Sequence, residues 1–293
     1  MMIKISSVLA LVDLNDEYEE VIEKAALLAG ANNASLELVC IEYSSYLEDG
    51  HYFDPIQAAE LRLQMLEERR LKLDEIADTL NDEELKVDTF AAWGHPCYKS
   101  LNEHIRQPES TLVVKSTKHH NKIARLFLSN EDWDLIRHCA SPLLLLKGQP
   151  WSKEPVFVTA IDPNHANDKP ATLDVKMVAC SQLLAGACGG SVHLFHSDSV
   201  PPFMGVYSLI MNEEDKSAKL AEFGRRAGIE TSHCHWTDSP IENSLPELLD
   251  ELDASVVVMG AISRSGLDRV LIGSTAERLL DLIDRDLLII KPD

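Results

Sequence analysis

The sequence repeats itself, and the repetition limits the possible folds more than any other feature. Leu27-Leu28-Ala29-Gly30-Ala31 reappears as Leu183-Leu184-Ala185-Gly186-Ala187, an offset of 156, and Ser35 and Leu38 then fall on Ser191 and Leu194. From Leu85 to Lys147 the offset becomes 144 and is read without a gap. Pro96 meets Pro240, Ser100-Leu101 meets Ser244-Leu245, Val113-Val114 meets Val257-Val258, and Arg125 meets Arg269. Leu143 to Lys147 likewise meet Leu287 to Lys291. A register kept over so many segments marks a duplication. The 293 residues are enough for two cores of ordinary size. Gly148 to Lys153 breaks the pattern, so the expected domains are 1–149 and 153–293.

Each copy alternates short apolar runs with helical periodicity. Strands are expected at about 7–12, 35–41, 86–92, 111–115 and 142–146, and again at about 156–161, 191–196, 230–236, 255–259 and 287–290. Helices are expected at 18–29, 55–80, 102–106 and 131–138. Strands that alternate with helices are parallel and covered on both faces, which accounts for unbroken apolar runs such as Val256-Val257-Val258-Met259. The fold class is therefore α/β, two tandem doubly wound domains. Ligands of such sheets sit outside the C-terminal strand ends, where the strand order reverses.

The 48 acidic residues outnumber the 27 basic ones, a net charge of -21, so the chain as a whole repels phosphodiester backbones. Direct nucleic-acid binding is not expected, because the only basic runs are the pairs Arg69-Arg70 and Arg225-Arg226 in helical segments. Cys40, Cys97, Cys139, Cys180, Cys188 and Cys234 form no C-x-x-C, the usage of reduced intracellular thiols. Val8 to Val12 stops at Asp13, short of a signal peptide, and no apolar run approaches the roughly 18 to 20 residues that span a bilayer. A cytoplasmic protein with no membrane partner is expected.

In the second copy Val257-Val258-Met259-Gly260-Ala261-Ile262-Ser263-Arg264-Ser265-Gly266-Leu267 runs on to Leu271-Ile272-Gly273-Ser274-Thr275-Ala276-Glu277, and the sequence closes on Asp286-Leu287-Leu288-Ile289-Ile290-Lys291-Pro292. This resembles the C-terminal signature of the universal stress protein family, in which G-x-x-G, nine residues and G-[S/T] frame a nucleotide phosphate site. The resemblance extends over nearly the whole chain, once per copy. The tandem arrangement, Lys115-Ser116-Thr117 and the Asp132-Trp133 pair resemble two-domain members.

The resemblance implies five-stranded parallel sheets of order 3-2-1-4-5. It also implies an intramolecular pseudo-dimer through the last strands, 143–146 and 287–290, with a further homodimer left open. The site residues it implies are Asp162, Gly260, Ser263, Arg264, Gly273 and Ser274, with ATP as the ligand of the second domain. Gly260 would let backbone approach a phosphate, and Gly273-Ser274 would open a helix whose free N–H groups favour an anion.

Two departures bear on that site. Ser263 stands where the second glycine belongs, and a strained non-glycine turn costs on the order of 1 to 3 kcal/mol, so ATP is expected to bind weakly. In the first copy the corresponding residues are Ser116, His119, Ser129 and Asn130, with Asp13 left at the end of the first strand. No nucleotide is expected there; the crevice should be filled by its own side chains, Lys118 and His119 among them.

His233-Cys234-His235 places two imidazoles on one strand face, and a metal site would need further ligands from His193 or His196, so packed or rim histidines are expected. There is no G-x-S-x-G, no P-loop and no readable nucleophile and base, so no dedicated enzyme is expected. Val200 to Met211 is apolar and Pro-rich, suited either to packing or, with Trp236, to covering an apolar ligand. The expected function is a stress-response protein that binds a small ligand or a protein; the resemblance adds a link to resistance against DNA-damaging agents. The alternatives are an ATP-binding switch with at most weak ATPase activity and an apolar-ligand carrier.

Overall fold

The computed structural model describes residues 4–48, 52–81, 85–117, 128–163, 171–199, 213–261, 279–280 and 282–292. They divide into two compact units, one ending at Leu146 and the other beginning at Lys147.

The first unit runs β1 (Ser7–Leu11), α1 (Glu19–Asn32), β2 (Ser35–Glu42), α2 (Pro55–Leu80), β3 (Val87–Trp93), α3 (Cys97–His104), β4 (Thr111–Ser116), α4 (Asn130–His138) and β5 (Leu143–Leu146). Its strands are parallel in the order β3-β2-β1-β4-β5. The second unit runs β6 (Val156–Ala160), α5 (Ala171–Ala187), β7 (Ser191–Ser197), α6 (Glu213–Arg226), β8 (Cys234–Thr237), α7 (Ile241–Glu251), β9 (Val256–Gly260) and β10 (Asp286–Ile290). Its parallel order β8-β7-β6-β9-β10 is the same 3-2-1-4-5 arrangement. Both faces of each sheet are covered, so Leu112, Val113 and Val114 in one and Val256, Val257 and Val258 in the other are fully buried.

The repeat is visible in local detail. α1 ends at Asn33, whose φ of 50° is left-handed, and Ala34 N–H closes back on Ala29 O. At the corresponding place in the second unit Gly189 takes φ 72° and Gly190 N–H bonds Ala185 O. Asn and Gly are the residues that tolerate this helix stop.

One part of the repeat alignment is corrected. Leu38 pairs with Thr89 and Leu194 with Cys234, so the third strands correspond at an offset of 145, not 144. The expected strand from Glu230 also shortens, because Thr231–His233 form a 3-10 turn before β8. α3 begins at Cys97, earlier than its apolar periodicity suggested, because Pro96 takes the extended N-cap geometry from which a helix starts.

Two buried lysines organise the units. In the second, Lys147 Nζ donates to the carbonyls of Leu280 (2.7 Å) and Ile283 (2.6 Å), while Lys147 N–H and Trp151 Nε1–H both donate to the Asp286 carboxylate at 2.7 Å. In the first, Lys115 at the end of β4 donates from Nζ to Asp132 Oδ1 at 2.7 Å, with Lys115 5% and Asp132 0% exposed. The other Asp132 oxygen accepts from Ser129 N–H and Ser129 Oγ–H, both at 2.8 Å, in a capping box that starts α4.

Removing one partner of a buried pair leaves the other charge uncompensated, so Asp132→Ala should destabilise the first domain by about 3 to 5 kcal/mol. The second copy carries Met259 and Ala276 at these two positions. Lys115→Met combined with Asp132→Ala should therefore recover most of the loss, as read from urea unfolding midpoints of the three variants.

Candidate functional site

The strand order of the first sheet reverses between β1 and β4, and a cavity of about 280 Å³ opens at their C-terminal ends. The loop after β1 brings Asp13, Asp16 and Glu17 to its wall, and β2 brings Cys40, Glu42 and Tyr43. β4 adds Lys115 and Ser116, α4 adds Glu131, and His95 enters from the turn after β3. Arg69 of α2 binds Glu42 at 2.7 Å and Asn15 at 2.6 Å, tying that helix to the rim.

The donors that would face a phosphate at the start of α4 are committed within the chain: Ser129 N–H and Ser129 Oγ–H point to the Asp132 carboxylate, as does Lys115. Lys118 and His119, expected to fill the crevice, lie outside the described residues.

Both thiols at the cavity are held in the protonated form. Burial, and next the neighbouring Glu42, pushes the Cys40 pKa up to about 12; burial, and next Glu131, does the same for Cys97.

In the second unit two of the expected site residues are described. Asp162 follows β6, and its N–H approaches Asp174 Oδ1 at 3.4 Å. Gly260 ends β9, and a Cβ there would lie 2.8 Å from Leu173 Cδ2 and 3.0 Å from Met177 Sδ. The missing side chain thus lets α5 pack closely over the strand end. At the 156 offset Leu173 is the counterpart of Glu17, and α5 begins at the counterpart of Asn15, about one turn before α1 does. An apolar side chain therefore covers this strand end where a carboxylate faces a cavity in the first unit. Ser263, Arg264, Gly273, Ser274 and the Val200 to Met211 segment lie outside the described residues.

The histidines of the second unit do meet. His193 stacks on His233 with centroids 4.0 Å apart, and its Nδ1 lies 2.9 Å from His235 Nε2 in a hydrogen bond. His196 Nδ1–H instead donates to Ile161 O at 2.9 Å. Among the described residues no group of three or more His, Cys, Asp or Glu is placed to hold a metal ion.

The crevice residues Glu17, Glu42, Tyr43 and His95 were not singled out from the sequence. Their signal was faint: acids and an aromatic just past apolar strand runs, where a doubly wound fold puts its loops.

The model of the universal stress protein family matches residues 4–147 and again 160–291. The chain belongs to the universal stress protein family. It is 22% identical to universal stress protein E of Photorhabdus laumondii over 98% of this chain and 95% of that one. It is 23% identical to universal stress protein E of Escherichia coli strain K12, over 98% and 94%. A crystal structure from Pseudomonas aeruginosa aligns over 100% of this chain and 95% of its own with a TM-score of 0.75 at 24% identity. A universal stress protein from Archaeoglobus fulgidus aligns over 98% of both chains with a TM-score of 0.68 at 16% identity. The structural likeness carries the tandem fold.

The histidine stack should make the stability of the second domain of this universal stress protein depend on pH. Burial, then His233 and His235, lowers the His193 pKa to about 4; burial also lowers that of His235, against the pull of Glu251 on α7. A histidine lowered in the fold is protonated first in the unfolded chain, so its stability contribution is whole above about pH 6.5 and is lost as pH falls toward 4. Urea unfolding of the second domain should show a loss on the order of 1 to 3 kcal/mol across that window, reduced in His193→Phe.

Proposed function

We propose that this universal stress protein is a cytoplasmic stress-response protein that works by binding a small ligand or a partner protein, without dedicated catalysis. The observation that carries this reading is the cavity of about 280 Å³ at the strand-order reversal of the first domain. Its lining supports binding over chemistry: Cys40 and Cys97 are held as thiols, and Lys115 is held by Asp132. The free thiols Cys40, Cys97, Cys139, Cys180, Cys188 and Cys234 suit a reducing compartment, which supports the cytoplasm. Among the described residues no helix is long and apolar enough to cross a membrane. Resistance to DNA-damaging agents is proposed on the family resemblance.

The second reading is a nucleotide switch, and it belongs to the second domain, where Gly260, Gly273 and Ser274 follow the family's phosphate motif, Ser263 departs from it, and Asp162 and Arg264 complete the candidate site. ATP binds weakly there in this reading, because Ser263 replaces a glycine and Leu173 and Met177 already crowd Gly260. In the first domain the carboxylates at the crevice repel a triphosphate. Native mass spectrometry of the freshly purified protein, followed by calorimetric titration with ATP, separates the readings. A co-purified ligand that is not a nucleotide, with ATP binding weak and strengthened about tenfold or more in Ser263→Gly, is the expected result. Tight ATP binding by the unmodified chain would replace the first reading with the second.

A further inference from the structure

The charge of the described lining of the first domain's crevice is opposite to what a phosphate ligand needs. Asp13, Asp16, Glu17, Glu42 and Glu131 line it. Against them stand Lys115, placed 2.7 Å from Asp132 and 3.6 Å from Glu131, and Arg69, which binds Glu42. Among the described residues, and with Asp132 counted, six carboxylates meet these two cations. The same negative field, after burial, helps keep the Cys40 thiol protonated through Glu42 and Asp13.

Two aromatic rings share the lining with these carboxylates. Tyr43 stacks on His95 with ring centroids 4.3 Å apart and planes 20° apart, and both rings line the same cavity. Carboxylates beside an aromatic face are the chemistry that recognises an organic cation: ammonium N–H groups donate to the carboxylate oxygens while methylenes and charge lie against the ring. A metal ion fits less well, because among the described residues no three His, Cys, Asp or Glu converge on one point. The negative charge is spread along the wall, which suits several ammonium groups on one flexible chain. A volume of about 280 Å³ is at the small end for ligand sites, which run from about 300 Å³ upward, and this favours a slender molecule.

From these observations we infer that the crevice of the first domain binds an aliphatic polyamine, its ammonium groups on Asp16, Glu17 and Glu42 and its methylene stem across Tyr43. The inference rests on the reading of this cavity as a ligand site.

Spermidine titrated calorimetrically into the full chain at about 150 mM salt, where weak surface attraction is screened, tests it. One spermidine should bind per chain, at least tenfold more weakly in Asp16→Asn/Glu17→Gln. The same loss of two charges away from the crevice, in Glu109→Gln/Asp238→Asn, should change affinity less than twofold. Absence of saturable binding, or equal weakening in both double variants, overturns the polyamine assignment. A thermal-shift series with neutral and anionic small molecules, run on the unmodified chain and Tyr43→Ala, separates this failure from that of the cavity reading. Stabilisation by such a molecule that Tyr43→Ala abolishes, with no spermidine binding, overturns the polyamine and keeps the ligand site. No stabilisation by any compound, spermidine included, overturns both.

Discussion

The buried pair of Lys115 and Asp132 is the interaction on which the first domain's crevice depends. Lys115 ends β4, next to the strand-order reversal, and Asp132 begins α4, so one contact sets where the helix starts relative to the sheet. Two charges removed from water are stable only when paired and hydrogen-bonded, and Asp132 meets that condition through Ser129 as well as Lys115. A helix N-terminus is a natural anion site, and here the anion belongs to the protein. The arrangement engages Lys115 and the Ser129 donors within the chain, and Lys115 also lies 3.6 Å from Glu131 on the cavity wall.

The second domain reaches a different result from the same scaffold. Met259 replaces Lys115 and Leu173 replaces Glu17, so the strand end is covered by apolar contact with Gly260 in place of a charged cavity. The glycine that the family motif associates with phosphate thus also has a packing role in this chain. Close approach of a helix and close approach of a phosphate ask the same thing of a residue, namely no side chain, and a motif alone does not separate them.

That ambiguity describes what was legible in the sequence. The duplication, the α/β class and the strand order came through because the long apolar strands and the Leu-Leu-Ala-Gly-Ala helices keep their spacing in both copies. The third strand slipped by one residue because β8 is four residues long and its Cys-His-Trp-Thr pattern offers no apolar register to align. The start of α3 was hidden for a similar reason: Cys97-Tyr98-Lys99 has no apolar stripe, and the informative residue was Pro96. The crevice was the least legible part. Lys115-Ser116-Thr117 and Asp132-Trp133 stood out as a likeness, but that Lys115 and Asp132 touch follows from where α4 sits on the sheet, which spacing along the chain does not state.

Duplication removes the requirement that both crevices serve one ligand. In a single-copy protein, replacing the motif glycines with residues that carry side chains would work against phosphate binding. In a tandem chain the same change in one copy leaves the other free to keep its motif. The two halves here differ on this point: one has Gly260 and Gly273, with Leu173 packed beside Gly260, whereas the other has Ser116 and Ser129 at those positions beside a cavity. Electrostatics bears on what that space admits: among the described lining residues Lys115 and Arg69 are already held by carboxylates, while a positively charged group would meet several acceptors at once. The acidic excess of the whole chain is matched at this cavity, whose described lining carries the five carboxylates of Asp13, Asp16, Glu17, Glu42 and Glu131.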